Sequence, residues 1–270
     1  MNFIKKITTK TKLIRRIFYM GVGLIFATKL IIFYFICGLI DILRNEEKQL
    51  QMFKQYFLGH GTFTWLMAPF NLFIDLLCLP YWNKGIFSLD DLPNGHQKEI
   101  RQTINIMKDR ELTNQLEKKL NDSDREMMFF KWYGKNIKTS IDIPEFHESF
   151  KYIRTIGVSI FNKKKSTNKH FGPFRLTYRV LFNLNDINSN EVYIQVGSKK
   201  SYWHQNKMFI FDDTLQHQSI NGSDERRYCA FVDILRPSPF SLLLKLFNGA
   251  LGSILNGANH LFYNRWRFIQ

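Results

Sequence analysis

Residues 17–43 form an apolar run whose only charges are Lys29 and Asp41. It contains no proline, and its glycines are Gly21, Gly23 and Gly38. About 20 such residues suffice for a helix to cross the hydrocarbon layer of a bilayer, so the run predicts a transmembrane anchor. Ahead of it stand Lys5, Lys6, Lys10, Lys12, Arg15 and Arg16, with no acidic residue among them. Such a cluster favours a cytoplasmic N-terminus. A cleaved signal peptide is the competing reading, and the length of the run and the lack of a small-residue cleavage site weigh against it.

A second apolar stretch, residues 63–82, is interrupted by Pro69 and Pro80 and carries Asp75. Proline and aspartate both weaken a spanning helix. The stretch is expected to return through the bilayer or lie in its surface, with a buried helix of the soluble body as the alternative. A return would keep the C-terminal region on the cytoplasmic side.

The net charge of +15, from 38 Lys+Arg against 23 Asp+Glu, favours anionic partners. No helix-turn-helix, zinc-finger or RNP pattern is visible, so anionic lipid head groups are expected rather than nucleic acid. Lys163, Lys164, Lys165 and Lys169 are candidates to meet them, or else form a solvated loop. Cys37, Cys78 and Cys229 are few, widely spaced and set among apolar residues. They read as buried thiols in a reducing compartment. The oligomeric state leaves no signature.

Residues 88–120 are polar with helical spacing at Ile100, Ile104 and Met107. From Tyr152 the texture changes to short alternating runs split by Asn, Gly, Ser and Asp, with candidate strands at 176–184, 191–196, 208–211 and 227–234. The expected fold is mainly β, a jelly roll with flanking helices and an N-terminal membrane anchor. The organisation reads as a basic N-terminus over 1–16, the anchor over 17–43, a linker with the second apolar segment over 44–87, a helical region over 88–150, the β core over 151–239, and a C-terminal amphipathic helix over 240–270.

Alternation puts Thr177, Arg179, Leu181 and Asn183 on one strand face, and Arg227, Cys229, Phe231 and Asp233 on another. An arginine there faces solvent, or it faces a barrel lumen and needs an anionic partner. Two histidines 47 positions apart, His170 and His217, are weak evidence of a metal site by themselves.

The order Ser159, His170-Phe171-Gly172-Pro173, Arg179, Trp203, Phe211-Asp212-Asp213, His217 and Arg227 is more specific. It resembles the aspartyl/asparaginyl β-hydroxylase family over roughly the C-terminal 120 residues. The apolar anchor, Ala68-Pro69-Phe70-Asn71 and Lys131-Trp132-Tyr133-Gly134 look like its lipid A acyl-chain hydroxylase branch. The resemblance implies a double-stranded β-helix and a dioxygenase dependent on iron(II) and 2-oxoglutarate. It further implies His170 and His217 as iron ligands without a carboxylate ligand, because Gly172 stands two residues after the first histidine. Arg227 would hold the distal carboxylate of 2-oxoglutarate, with Arg179 and Ser159 near the cosubstrate. Asp212 and Asp213 read as turn caps or as groups orienting a ligand. The family's Arg-x-His run becomes Arg179-Val180-Leu181 here, and a leucine offers a carboxylate no hydrogen bond.

The implied substrate is a membrane lipid acyl chain. An Asp or Asn side chain in a protein, and a non-catalytic lipid-binding member, are the alternatives. Ferrous iron and 2-oxoglutarate are cytoplasmic solutes, so the oxygenase core is expected at the cytoplasmic face of the membrane.

Overall fold

The computed structural model describes residues 2–255 and 266–269. α1 (Asn2–Ile42) is one continuous helix. Its segment Gly21–Ile42 has a mean hydropathy of 2.2 and is long and apolar enough to cross a membrane. Phe26, Ile31, Phe33 and Ile36 stand exposed along it.

The chain then folds back through α2 (Leu50–Leu58), α3 (Thr62–Leu66) and α4 (Ala68–Leu77). With 10 residues, α4 has about half the length a span requires. No single helix over this stretch has spanning length, since α3 and α4 are separate and short. One face of α4 (Ala68, Asn71, Ile74) is buried, whereas Phe73 and Leu76 are exposed. The two acids that interrupt the apolar pattern have a structural cause. Asp41, at the end of α1, and Asp75, on α4, are counter-ions of arginines in the β domain.

After β1 (Ile86–Phe87), α5 (Asn94–Asp109) and α6 (Leu112–Glu117) come β2 (Arg125–Trp132) and β3 (Lys135–Asn136). The next strands are β4 (Ile153–Phe161), β5 (Lys165–Ser166), β6 (Thr177–Asn183), β7 (Val192–Val196), β8 (Lys199–Tyr202), β9 (Met208–Phe211), β10 (His217–Asn221) and β11 (Arg227–Leu235). α7 (Ser241–Ile254) and β12 (Arg267–Phe268) follow. Residues 256–265 of the expected C-terminal helix lie outside the described residues.

The larger sheet runs β1-β9-β6-β11-β4-β2-β12, with β3 on β2, and the smaller runs β5-β10-β7-β8. All pairs are antiparallel except β12 with β2. Strands β4 to β11 thus divide into β9-β6-β11-β4 facing β5-β10-β7-β8, the winding of a double-stranded β-helix.

Both faces of the larger sheet are buried. Tyr178, Val180, Tyr228, Ala230, Val232 and Ile234 pack with Ile100, Ile104 and Met107 of α5. The opposite face gives Leu181, Cys229 and Phe231 to a second core with Val192, Ile194 and Val196 of the smaller sheet. Arg179 and Arg227 share that inner face, so both arginines point into the lumen.

Residues 88–150 are only partly helical, because β2 runs through them. Glu126 to Trp132 and the whole of β4 are buried, and with both faces covered they lose the alternation that marks a strand.

His96 of α5 packs against this sheet, with its ring stacked 3.9 Å from Tyr152 and Nε2 donating to Leu235 O at 3.1 Å. Burial pushes its pKa down to about 4. The unfolded chain binds a proton near pH 6.5 that the native imidazole refuses, so stability is complete above that pH and falls as pH drops towards 4. The loss expected from this group is roughly 3 kcal/mol. Unfolding in detergent between pH 7.5 and 4 should show a shallower acid loss for His96→Gln than for the wild type. Parallel slopes would remove His96 from the account.

Candidate functional site

His217 opens β10, and His170 lies in the segment between β5 and β6. They form an isolated bridge in which each backbone N–H donates to the other's carbonyl at 2.9 Å. Their rings are thereby held 4.2 Å apart, centroid to centroid. His170 Nδ1 lies 2.8 Å from Asn168 O, and His217 Nδ1 lies 2.8 Å from Leu215 O. A carbonyl only accepts, so each Nδ1 carries the proton and each Nε2 keeps its lone pair. Desolvation, reinforced by the neighbouring His217, pushes His170 down to about 3. Burial pushes His217 down to about 4. Both rings are neutral at physiological pH, the state in which imidazole binds a metal.

His217 Nε2 lies 3.3 Å from Asp213 Oδ1. A lone pair facing a carboxylate with no proton between them is an arrangement that a cation satisfies. These residues therefore fit a divalent metal held by His170 and His217, with Asp213 at its side. Among the described residues, no group of three or more His, Cys, Asp or Glu is placed to hold a metal.

Asp213 occupies the space left by Gly172. A Cβ built on Gly172 would fall 1.8 Å from Asp213 Oδ2 and 2.9 Å from Asp213 O. Gly172 N also donates to Asp213 O at 2.7 Å, which leaves the two backbones no room to separate. Gly172→Ala should displace the carboxylate, and a divalent metal held by the two histidines would bind about 10- to 100-fold more weakly, the cost typical of losing a group that supports metal ligands. Anaerobic metal titration checks this, and unchanged affinity would show that the carboxylate is idle.

Behind the histidines a deeper pocket is lined by Ser159, Leu181, Ser219 and Arg227. Arg227 is 1% exposed. Its Nη1 donates to Ser219 Oγ at 2.6 Å, and its Nε finds no partner. Its guanidinium lies 4.3 Å from the Phe161 ring centroid and 5.6 Å from that of Trp203. Among the described residues no carboxylate pairs with it. Burial pushes its pKa down, which measures how poorly its charge is compensated. A dicarboxylate cosubstrate would supply the missing anion, and a guanidinium receives a carboxylate through two parallel hydrogen bonds. Ser159 Oγ donates to Cys229 O at a long 3.4 Å. Leu181 lies on the pocket wall in line with Arg179, as the strand alternation predicts.

Arg179 lines the same pocket as Ser159 and Arg227, and its guanidinium is paired with carboxylates there. Its Nη1 holds Asp213 at 2.5 Å, and its Nε holds Asp233 at 2.9 Å. It also lies 4.0 Å over the Phe231 ring. Burial raises the Asp233 pKa, and the charge of Arg179 opposes that rise. The roles of Asp213 and Asp233 emerge only in three dimensions, because each reaches Arg179 from another strand or turn. Asp212, next in chain to Asp213, faces away from the site into an ionic cluster.

That cluster ties the anchor to the site. Arg175, fully buried, holds Asp41, meets Asp75 at 2.6 Å and lies 3.4 Å from Asp212. Arg44 meets Asp212 at 2.8 Å and Arg236 meets Asp75 at 2.6 Å. Burial works against the Asp212 charge, but Arg44, Arg175 and Arg236 outweigh it and hold the carboxyl below its ordinary range. The segment after His170 is fastened to the same helices. Thr64 Oγ1 donates to Gly172 O at 3.1 Å, Asn71 Nδ2 to Pro173 O at 3.0 Å, and Arg175 N to Asn71 Oδ1 at 2.9 Å. The motif ending at Asn71 thus positions the segment that begins at His170. Trp132 and Tyr133, from the other short motif, wall a cleft on the outer side of His170.

The sequence profile of the aspartyl/asparaginyl beta-hydroxylase family matches residues 95–237, more than half of the chain. The chain belongs to the aspartyl/asparaginyl β-hydroxylase family. Its match to that family takes in His170, Arg179, His217 and Arg227 together with α5. The ornithine lipid ester-linked acyl 2-hydroxylase of Rhizobium tropici is 31% identical over 86 residues, 32% of this chain and 31% of that protein. The match therefore spans about a third of that relative's length. Among solved structures, the collagen prolyl hydroxylase of Paramecium Bursaria Chlorella virus-1, a 2OG complex, aligns at 12% identity with a TM-score of 0.33. That alignment covers 48% of this chain and 90% of the other. A 2OG-Fe(II) oxygenase family oxidoreductase of Burkholderia pseudomallei aligns at 12% identity with a TM-score of 0.26, over 35% and 48% of the two chains.

Proposed function

We propose that this β-hydroxylase family member is a membrane-anchored dioxygenase that uses iron(II) and 2-oxoglutarate to hydroxylate the acyl chain of a membrane lipid. The observation that carries the reading is Arg227, a buried cation that no carboxylate among the described residues pairs, in one pocket with two imidazoles whose Nδ1 faces a backbone carbonyl and whose Nε2 keeps its lone pair. Iron(II) bound there with 2-oxoglutarate would activate dioxygen, one atom of which would enter an unactivated C–H as C–OH while the other enters the succinate formed, with CO2, from 2-oxoglutarate. His170 and His217 hold the metal, each fixed in tautomer by a backbone carbonyl. Arg227 anchors the distal carboxylate of the cosubstrate, and Arg179 orients Asp213 beside the metal. The apolar walls of Phe171 and Phe174 exclude water from the cleft where the acyl carbon is presented.

The lipid half of the reading rests on the exposed apolar length of α1, on the outer faces of α4 and α7, and on the acyl hydroxylase relative. Leu242, Leu246 and Ile254 of α7 are exposed beside Phe73 and Leu76 of α4, and Phe247 packs on Phe70 and Phe73. The two helices form an apolar plate fit to lie in a bilayer surface. Lys164, Lys165 and Lys169, expected at lipid phosphates, pair with Asp224, Asp124 and Glu47, so they are a weaker anchor than their sequence implies. The solubility of iron(II) and 2-oxoglutarate in the cytoplasm places the β domain on that face, against the pull of the six N-terminal basic residues. Protease accessibility in intact spheroplasts decides this sidedness.

Cells producing the wild type should yield a membrane lipid heavier by one oxygen than cells producing a His170→Ala/His217→Ala variant. The sequence favours a lipid A-like acceptor and the relative an ornithine lipid, and the fraction carrying the new oxygen names the class. Identical lipid extracts from the two strains, with oxygen entering an Asp or Asn of a protein instead, would overturn the proposal.

A further inference from the structure

α7 presents Leu244, Asn248 and Gly252 inward, one helical turn apart. Leu244 packs with Ile74, Cys78, Leu176 and Leu235, and Gly252 lies against Tyr133. Asn248, between them, lines the cleft that also contains His170, and it is 2% exposed. Its Oδ1 has no hydrogen-bond partner among the described residues. A buried acceptor left unmade costs about 1–3 kcal/mol, and an apolar residue would avoid that cost in a helix that is otherwise apolar here.

Building on the acyl-chain reading, we infer that Asn248 binds the substrate beside its acyl carbonyl and selects chains that carry a hydrogen-bond donor there. Oδ1 only accepts, so it needs an N–H or O–H from the ligand. An amide-linked acyl chain offers its N–H, and a 3-hydroxyacyl chain offers its hydroxyl. A plain ester offers neither. The Nδ2 of the same amide is a donor and complements the acyl carbonyl. A side chain that grips the linkage fixes how far the chain reaches into the cleft, and hence which carbon faces the metal held by His170. The Asn248 site thus predicts a preference for donor-bearing chains over plain esters, a specificity that differs from the ester-linked chain for which the Rhizobium tropici relative is named.

The test uses the full chain in detergent, loaded with iron(II) and 2-oxoglutarate under nitrogen, and titrates three lipids of one chain length by calorimetry. They are an N-acyl amide, an O-acyl ester and an O-(3-hydroxyacyl) ester. The wild type should bind the two donor-bearing lipids, or one of them, about tenfold more tightly than the plain ester. The tighter of the two identifies the source of the donor. Asn248→Leu should bind all three alike while its thermal stability is unchanged or raised, a result that a packing role for Asn248 would not give. A preference retained by Asn248→Leu, or absent from the wild type, overturns the inference and leaves the acyl-chain reading standing. Failure of the wild type to bind any of the three overturns both.

Discussion

Arg227→Met should raise the KM for 2-oxoglutarate by roughly 30-fold to several thousand-fold and leave the fold at least as stable as before. The first effect follows from losing a desolvated, charge-assisted contact, worth about 2–5 kcal/mol when one partner is removed. The second is opposite in sign to most core substitutions. Arg227 is buried with Ser219 and two aromatic rings about it, and no acid among the described residues pairs with it. An apolar side chain of similar length removes that burden. Arg227→Lys should fall between wild type and Met, because an ammonium cannot reproduce the two-pronged contact. Steady-state kinetics at varied 2-oxoglutarate, with thermal unfolding of the same samples, checks both halves. An unchanged KM would remove the arginine from the cosubstrate site, and a large loss of stability would make it a structural group.

Arg175→Met should behave in the reverse way, costing about 3–5 kcal/mol of stability. Arg175 is also fully buried, but it is the hub of three carboxylates, from the end of α1, from α4 and from the turn after β9. Among the described residues its removal leaves Asp41 with the Tyr56 hydroxyl but no cation, and Asp75 and Asp212 with one arginine each. Arg175 stands five residues after His170, so losing its side-chain ion pairs loosens the segment that carries that histidine. Iron(II) affinity should therefore fall together with stability. Urea unfolding in detergent measures the first and anaerobic titration the second. A loss below about 1 kcal/mol would show that the cluster breaks even against its own desolvation.

The contrast between these two arginines marks what a sequence carries. Alternation along β6 and β11 groups Arg179 with Leu181 and Arg227 with Cys229, Phe231 and Asp233, and leaves open whether those faces turn to solvent or to a lumen; burial decides it. The strands β2 and β4, buried on both faces, are not separated from their surroundings by alternation. Asp41 and Asp75 read as blemishes in apolar segments, because their partners Arg175 and Arg236 lie 100 to 161 residues further along. The pair Asp212-Asp213 looked like one unit, yet neighbouring residues at a turn diverge, one into the ionic cluster and one to the histidines. Asn248 gave no sign at all, since a single polar residue in an apolar helix is unremarkable until its burial is known.

The central claim is that His170, His217 and Arg227 form one site for iron(II) and 2-oxoglutarate. Purified protein under nitrogen, given both, should develop the visible metal-to-ligand charge-transfer band of the chelated cosubstrate. The band should be absent from His170→Ala/His217→Ala. A band that persists in that variant, or fails to form in the wild type at saturating 2-oxoglutarate, would contradict the account.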